Sequence, residues 1–151
     1  MKKKTFKPNQ AQRKALGTYV KLMRASSTVT RRLHAYLGDY SLTLSQFAVL
    51  EALYHLGPLH QKEIAAKILK TDGNITLVLN NLARRALIIR EHDSGDRRRM
   101  TVRLTQTGRK LIDAVFPIHA VRTEQLFACL SPEELEGLGS LLKKLGRQAA
   151  A

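Results

Sequence analysis

Three consecutive arginines follow two aspartates in the stretch DSGDRRRMTVRLT, residues 93–105. Guanidinium groups this close repel one another, so such a run persists in open solvent or beside a polyanion. Arginine binds phosphate through two parallel hydrogen bonds, and the negative potential of a narrow minor groove attracts it. The run therefore predicts a cationic loop that either stays solvated or contacts a polyanion such as DNA. Its candidate contact residues are Arg97, Arg98, Arg99 and Arg103.

A second candidate site lies upstream, in the stretch NITLVLNNLARRAL. Helical spacing predicts a buried stripe formed by Ile75, Val78, Leu79, Leu82 and Ala86. Asparagine can bond adenine at two atoms, and a threonine or leucine side chain can pack on a thymine methyl group. We therefore expect the outward face of this helix, with the two residues that precede it, to contact bases. The candidate residues are Asp72, Gly73, Asn74, Thr76, Leu77, Asn80 and Arg84, with Asn81 also facing outward.

Net charge supports an anionic partner. The chain of 151 residues carries a formal charge of +14, and its sequence pI is about 10.4. Residues 1–37 hold ten Lys or Arg and no Asp or Glu, whereas residues 111–151 hold four Lys or Arg and five acids. Nucleic acid is the usual partner of such a protein. No stretch is apolar enough to span a bilayer, so a membrane is not expected among the partners.

Signs of other chemistry are missing from the sequence. It contains no Gly-rich phosphate loop and no histidine pair with metal-ligand spacing. We therefore expect no enzyme activity, no metal and no cofactor. Cys129 lies among Leu126, Phe127 and Leu130, which favours a buried, unreactive thiol over a redox sensor. A single cysteine suits a reducing bacterial cytoplasm, where the partner DNA lies in the nucleoid.

Helical elements must position these sites. Apolar spacing predicts a first helix from Gln10 to about Leu37, with Pro8 and Asn9 at its start. Ser45 is the predicted cap of a second helix that stops before Gly57. A short third helix, QKEIAAKIL, follows, and its Glu63 can accept hydrogen bonds from its own first turn. Thr71 or Asp72 is the predicted cap of the base-contacting helix.

A β-hairpin and two further helices complete the chain. LIIREH and MTVRLT are predicted strands, with Met100, Val102 and Leu104 inward and Thr101 and Arg103 outward. Thr105 is the predicted cap of a long helix that ends near Leu130 and contains Pro117. In SPEE, Ser131 is the predicted cap of the last helix. Its apolar stripe is Leu135, Leu138, Leu142 and Leu145.

The order of a short helix, a tight break, an amphipathic helix and a basic hairpin is typical of a winged helix-turn-helix. The hairpin stretch DSGDRRRMTVRLTQTGRKL resembles the signature of the MarR family of bacterial transcription regulators, with an Asp-x-Arg tip, then Val-x-Leu-Thr and a Gly three positions on. QKEIAAKILKTDGNITLVLNNLARRALI resembles the helix-turn-helix of that family. The resemblance covers nearly the whole chain.

The resemblance implies a homodimer of interlocked N- and C-terminal helices, in which small anionic, phenolic or aromatic ligands, or thiol oxidation, release DNA. Asp96 would hold Arg98 in one pose, while Arg97 and Arg99 meet phosphates. Ala86 stands where the family usually has Gly, and Leu77 where it often has a basic residue. The dimer seam is expected at Leu16, Tyr19, Leu135, Leu138 and Leu142. An effector pocket is expected near His34 and Tyr36 of the first helix.

We therefore predict a mainly α fold with a small β-hairpin, divided into a basic tail (1–9), an N-terminal dimerisation helix (10–40), a winged helix-turn-helix lobe (41–106) and C-terminal dimerisation helices (107–151). The leading hypothesis is a dimeric, sequence-specific repressor that binds an inverted repeat in double-stranded DNA and responds to a small effector. The alternatives are an architectural DNA-binding protein of weak specificity and a protein-interaction module with a charged hairpin.

Overall fold

A computed structural model describes residues 6–68, 72–92 and 100–149. The side chains of Asp72 and Gly73 are also outside the description. The elements are α1 (Gln10–His34), a 3₁₀ helix (Ala35–Tyr40), α2 (Leu44–Leu56), β1 (Leu59–His60), α3 (Gln61–Lys67), α4 (Asp72–Arg84), β2 (Ile88–His92), β3 (Met100–Leu104), α5 (Gln106–Phe127) and α6 (Pro132–Ala149). The fold is mainly helical with a small antiparallel sheet, as the sequence predicts. The chain divides into two compact units, Met1–Ala35 and Tyr36–Ala151.

The first unit consists of α1. Asn9 caps it, because its side chain accepts a hydrogen bond from the Gln12 amide at 2.9 Å while the Gln12 side chain accepts one from the Asn9 amide at 2.8 Å. The predicted end near Leu37 is wrong, since α1 ends at His34. Tyr36 and Leu37 are buried in the second unit, and this burial overrides the helical spacing of the sequence.

Two caps differ from the sequence prediction. Thr43, not Ser45, caps α2, because Gln46 at the third helical position completes a reciprocal capping box with Thr43 at 3.0 and 3.2 Å. Asp72 is already the first helical residue of α4, so it is not the cap. The alternative, Thr71, lies outside the described residues. Glu63 does reach back, and its carboxylate accepts a hydrogen bond from the His60 amide at 2.7 Å.

The buried stripe of α4 is confirmed at Ile75, Val78, Leu79 and Leu82, but Ala86 is exposed. Ala86 follows the helix with φ of +53°. Its amide donates to the Ala83 carbonyl at 2.9 Å, and the Leu87 amide donates to the Leu82 carbonyl at 3.0 Å. This pair of bonds is a Schellman motif, in which the left-handed position is usually glycine. Ala86 therefore ends the helix instead of extending its buried face.

The sheet has the strand order β1-β3-β2. The predicted hairpin is confirmed, with Arg90 opposite Val102 and Glu91 opposite Thr101. Val102 is buried and Arg103 exposed, as the alternation predicts. The strand β1 was not predicted. It pairs with β3 through Leu59 opposite Val102, so the hairpin is fastened to the start of α3.

The start of α5 is joined to the turn after α4. The Thr105 hydroxyl accepts a hydrogen bond from the Gly108 amide at 2.9 Å, which confirms the predicted cap, and donates to the Ala86 carbonyl at 2.6 Å. The Thr105 amide donates to the Leu87 carbonyl at 3.1 Å. A Cβ atom on Gly108 would collide with that same carbonyl of Leu87. The helix contains Pro117 and ends at Phe127, before the predicted Leu130.

The last helix begins as predicted. Ser131 and Glu134 form reciprocal bonds at α6, with the Ser131 amide donating to the Glu134 carboxylate at 2.9 Å and the Glu134 amide donating to the Ser131 hydroxyl at 3.3 Å. Neither α1 nor α6 contains a buried residue in this chain. The core instead lies among α2, α3, α4, α5 and the sheet, around Phe47, Leu50, Ile64, Leu79 and Ile112. Within the described part of the chain, no helix is long and apolar enough to cross a membrane.

Candidate nucleic-acid interface

The outward face of α4 carries the predicted base-contacting side chains. Asn74, Thr76, Asn80 and Arg84 are exposed, and Asn81 is half-buried. Leu77 is an apolar side chain with 59% of its surface in solvent. The sequence therefore places polar groups and one isolated leucine on the surface that a helix-turn-helix lays in a major groove.

Gln61, which the sequence analysis missed, contacts this face from α3. Its side-chain amide donates to the Thr76 hydroxyl at 2.8 Å. In a helix, threonine divides between two rotamers, and a hydrogen bond to its hydroxyl oxygen selects one of them. Gln61 is therefore a positioning residue for Thr76. Its place at the first position of α3 was visible in the sequence, but its partner in α4 was not.

Arg90 is a second residue that the sequence analysis missed. It lies on the inward face of the hairpin, opposite Val102, and its Nη2 donates to the side-chain oxygen of Asn80 at 2.6 Å. Its Nε is buried and has no hydrogen-bond partner among the described residues. The sequence contains one sign of this role, since the alternation of β2 puts the charged Arg90 on the same inward face as Ile88. The contact joins the hairpin to α4.

Arg84 makes a similar contact within α4 itself. Its Nη2 donates to the side-chain oxygen of Asn81. The neighbouring Arg85 points elsewhere and donates to the main-chain oxygens of Ser41 at 2.6 Å and Tyr40 at 3.3 Å. The two consecutive arginines at the end of α4 thus differ in role. Arg84 belongs to the polar face of the helix, and Arg85 fastens the helix to the loop before α2.

Arg103 has a carboxylate partner on the outward face of the hairpin. Its Nε and Nη2 donate to the two oxygens of Glu91 at 3.0 and 2.7 Å. These hydrogen bonds hold the pKa of Glu91 below its usual value. The remaining predicted hairpin contacts, Arg97, Arg98 and Arg99, lie outside the described residues, as do Asp93 and Asp96.

A group of aromatic and basic side chains surrounds Tyr36. The Tyr36 hydroxyl lies 2.9 Å from His119 Nδ1, and the Arg122 guanidinium stands 4.8 Å from the centre of the Tyr36 ring. Burial raises the pKa of Tyr36 to about 12 and lowers the pKa of His119. Both groups are therefore neutral near pH 7. The prediction that Tyr36 belongs to the first helix is wrong, because it lies in the 3₁₀ helix that follows His34.

Cys129 is exposed, so its predicted burial is wrong. The cause is the early end of α5 at Phe127, which leaves Cys129 in the turn before α6. Its Sγ contacts the Leu126 carbonyl at 3.9 Å. Among the described residues, no group of three or more His, Cys, Asp or Glu side chains has the geometry to hold a metal ion.

Known proteins share this arrangement. A family model described as MarR family matches residues 42–100, which hold the helix-turn-helix and the first strand of the hairpin. The chain is 34% identical to the HTH-type transcriptional regulator YkoM of Bacillus subtilis over 97% of its own length and 94% of that protein. The chain belongs to the MarR family. It is therefore a DNA-binding transcription regulator with a winged helix-turn-helix lobe.

Two solved structures of DNA-binding proteins show the same fold. The MepR–DNA complex of S. aureus has a TM-score of 0.77 and 30% identity, and the match covers 87% of this chain and 96% of MepR. BpsR of Bordetella bronchiseptica, whose DNA binding is regulated by 6-hydroxynicotinic acid, has a TM-score of 0.79 and 28% identity over 86% of this chain and 98% of BpsR.

Proposed function

We propose that the protein is a homodimeric repressor that binds an imperfect inverted repeat and leaves it when a small aromatic effector binds. The observation that carries the dimer is the exposure of the apolar stripes on the terminal helices. Leu16 and Tyr19 of α1 are 54% and 59% exposed, and Leu135, Leu138 and Leu142 of α6 are 44%, 36% and 42% exposed. Apolar side chains clustered on one helical face mark a protein–protein contact.

The dimer is tested by placing charge on the stripe of α6. Leu138→Asp combined with Leu142→Asp should produce a monomer in sedimentation at micromolar concentration, while the helix-turn-helix lobe stays folded. Leu56→Asp is the matched control, because Leu56 is a leucine of similar exposure, 52%, that lies at the end of α2. A dimer that survives the double substitution would place the seam elsewhere.

Dimeric binding sets the geometry of the operator. Two recognition helices related by a twofold axis enter successive major grooves about 10 base pairs apart. Several phosphates are neutralised, so affinity should fall steeply as salt rises. Affinity measured on operator and on random duplex at several salt concentrations tests this. Equal affinity for both duplexes would favour the architectural alternative.

The base contacts are tested at the exposed end of α4. Asn74→Ala and Thr76→Ala should each cost roughly 1–3 kcal/mol of discrimination on the operator, because a good base contact contributes about that much. Their cost on random duplex should be smaller. An equal loss of affinity for both duplexes would show that these residues contact phosphate groups and not bases. Asp72 and Gly73, which begin the same helix, are proposed to lie against the backbone of the same groove.

The hairpin tip is tested at Asp96 and Arg98. Removing a negative charge from a DNA-binding protein should raise affinity by electrostatics alone. If Asp96 orients Arg98, its removal should instead lower the affinity, since a freed Arg98 loses more rotamer entropy on entering the minor groove. We expect Asp96→Ala to weaken binding, and to have little effect once Arg98 is alanine. Tighter binding by Asp96→Ala would exclude the orienting role.

The effector is proposed to be an aromatic acid or phenol that binds near Tyr36. Support comes from the exposed Arg122 guanidinium beside the Tyr36 ring, since a guanidinium pairs with a carboxylate and stacks on an aromatic face. The test is release of labelled operator by a panel of phenolic acids, quinones and peroxide, with Arg122→Met and Cys129→Ser as variants. Arg122→Met should weaken the response to acids, while Cys129→Ser should leave every response intact. His34, which ends α1, was predicted for the same pocket and is tested by His34→Ala.

A further inference from the structure

Three side-chain oxygens on α4 accept hydrogen bonds within the protein. The Asn80 oxygen accepts from Arg90, the Asn81 oxygen accepts from Arg84, and the Thr76 hydroxyl accepts from Gln61. No hydrogen bond to the Asn74 side chain is found within the described residues. Three acceptors on α4 are therefore engaged within the protein, one each on Thr76, Asn80 and Asn81.

The orientation of the Asn80 amide is fixed by its partner. An arginine side chain has five N–H donors and no acceptor, so the atom that lies 2.6 Å from Arg90 Nη2 is the oxygen of the amide. The amide nitrogen of Asn80 is then the group left for a ligand. The same argument holds for Asn81 beside Arg84.

Base recognition follows from this orientation. An asparagine that binds adenine uses its oxygen and its nitrogen side by side, accepting from N6 and donating to N7. The Arg90 guanidinium, 2.6 Å from the Asn80 oxygen, already donates to one of its two lone pairs, and its positive charge repels the partly positive hydrogens of an adenine amino group at the other. A donor alone is instead satisfied by an acceptor in the major groove, which guanine offers at O6 and N7, thymine at O4, and adenine only at N7, beside its amino group.

We propose that Arg90 is a specificity-determining residue, which, by engaging the Asn80 oxygen, disfavours the paired contact of Asn80 with adenine N6 and N7 and leaves its amide nitrogen as a donor. The base that faces Asn80 is then preferentially guanine or thymine, whose acceptors have no neighbouring amino group in the major groove. Arg90 acts through Asn80, so it is a positioning residue for base contact. The proposal rests on α4 entering the major groove of a specific site.

The test is selection of bound duplexes from a library with a randomised half-site, at one salt concentration, for the full chain and its variants. Arg90→Met frees the Asn80 oxygen, so the frequency of adenine among the selected duplexes should rise about tenfold at one position of each half-site. A change of about tenfold lies in the lower part of the range for a bidentate base contact. Arg90→Lys keeps a donor and should keep the original preference. Arg85→Met removes the same charge from a side chain that binds main-chain oxygens, and should leave every position unchanged.

Two substitutions of Asn80 test the proposal even if Arg90→Met does not fold, because they leave Arg90 and the hairpin unchanged. Asn80→Lys, a donor without an acceptor, should retain guanine or thymine at the position that faces residue 80, whereas Asn80→Ala should remove the preference there. An unchanged base preference in Arg90→Met, with equal loss of affinity for all duplexes, would overturn the proposal and make Arg90 a phosphate contact. Adenine at that position in the unsubstituted protein would also overturn it. Failure of selection to enrich any sequence would instead contradict specific binding itself.

Discussion

The Tyr36 hydroxyl and His119 Nδ1 lie 2.9 Å apart and join the 3₁₀ helix after α1 to the middle of α5. The His119 ring also packs on Phe47, with ring centres 4.6 Å apart. Charged groups face the pair from two other positions, Glu51 on α2 and Arg122 on α5. Because burial lowers the pKa of His119, the folded chain holds this side chain neutral under conditions where the unfolded chain binds a proton.

This pair makes stability depend on pH. The unfolded chain takes up the proton first as pH falls through the ordinary histidine value of 6.5, so the free energy of unfolding should decrease from there toward the lower folded pKa. Urea unfolding at about pH 7.5 and about pH 5.5 measures the change. His119→Gln should flatten this dependence of the free energy of unfolding on pH. His55→Gln, at an exposed histidine, is the control, and an equal flattening there would contradict the assignment to His119.

The Glu91–Arg103 pair should limit the attraction of the hairpin for phosphate. Glu91→Gln removes a negative charge and weakens the two bonds that occupy Arg103. Affinity for operator and for random duplex should rise together, and the salt slope should steepen by about one phosphate contact. Glu124→Gln makes the same change of charge on α5. If the two variants change affinity and salt slope equally, net charge alone explains the effect, and the Glu91–Arg103 pair does not limit phosphate binding.

Ala86→Gly should stabilise the protein. The left-handed conformation at Ala86 costs an L-residue with a Cβ roughly 1–2 kcal/mol, while glycine adds back some backbone entropy to the unfolded chain. We expect a net gain of about 1 kcal/mol, seen as a higher urea midpoint with an unchanged slope. Ala114→Gly, at an exposed position inside α5, should lose about 1 kcal/mol. A loss at both positions would mean that Ala86 is not strained.

Gly108→Ala should destabilise the same region. The added Cβ would collide with the main-chain oxygen of Leu87, which is fixed by its bond from the Thr105 amide. Overpacking against backbone forces a main-chain shift, so we expect a loss of at least about 2 kcal/mol in urea unfolding. Gly38→Ala is the control, because its Cβ would meet open space. Comparable stability of the two variants would show that α5 can move away from the turn after α4.

Local signals in the sequence predicted the elements that depend on local physics. The start of α1 at Asn9, the cap at Thr105 and the box at Ser131 and Glu134 each involve residues a few positions apart, so the sequence contains both partners. The strand β1 was missed because its two residues become a strand only by pairing with β3, about forty positions away. Burial of Tyr36 and Leu37 likewise depends on distant residues, which is why the end of α1 was placed too late.

The candidate site was predicted in its residues but not in its bonds. Spacing alone indicated that Asn80 and Arg84 face outward, since helical geometry fixes which side chains share a face. Spacing could not show that Arg90 reaches Asn80, because that contact depends on how the hairpin packs on α4. Exposure of Cys129 was missed for a related reason. Its apolar neighbours suggested burial, but the end of α5 at Phe127 puts it in a turn.

Three of the hydrogen bonds of Thr105 link the start of α5 to the turn that follows α4 and make it a pivot for both helices. They hold the turn at Ala86 and Leu87 against the first turn of α5, so we expect a tilt of one helix to be passed to the other. His119 lies about 20 Å along α5 from this point, and α4 is about as long, at 1.5 Å per residue. A sideways shift of about 1 Å at His119 is then a rotation of about 3°, which moves the far end of α4 by about 1 Å. A hydrogen bond of ordinary length does not survive stretching by that amount. We therefore expect a molecule that displaces His119 by about 1 Å to break the hydrogen bonds that we propose between the far end of α4 and DNA bases.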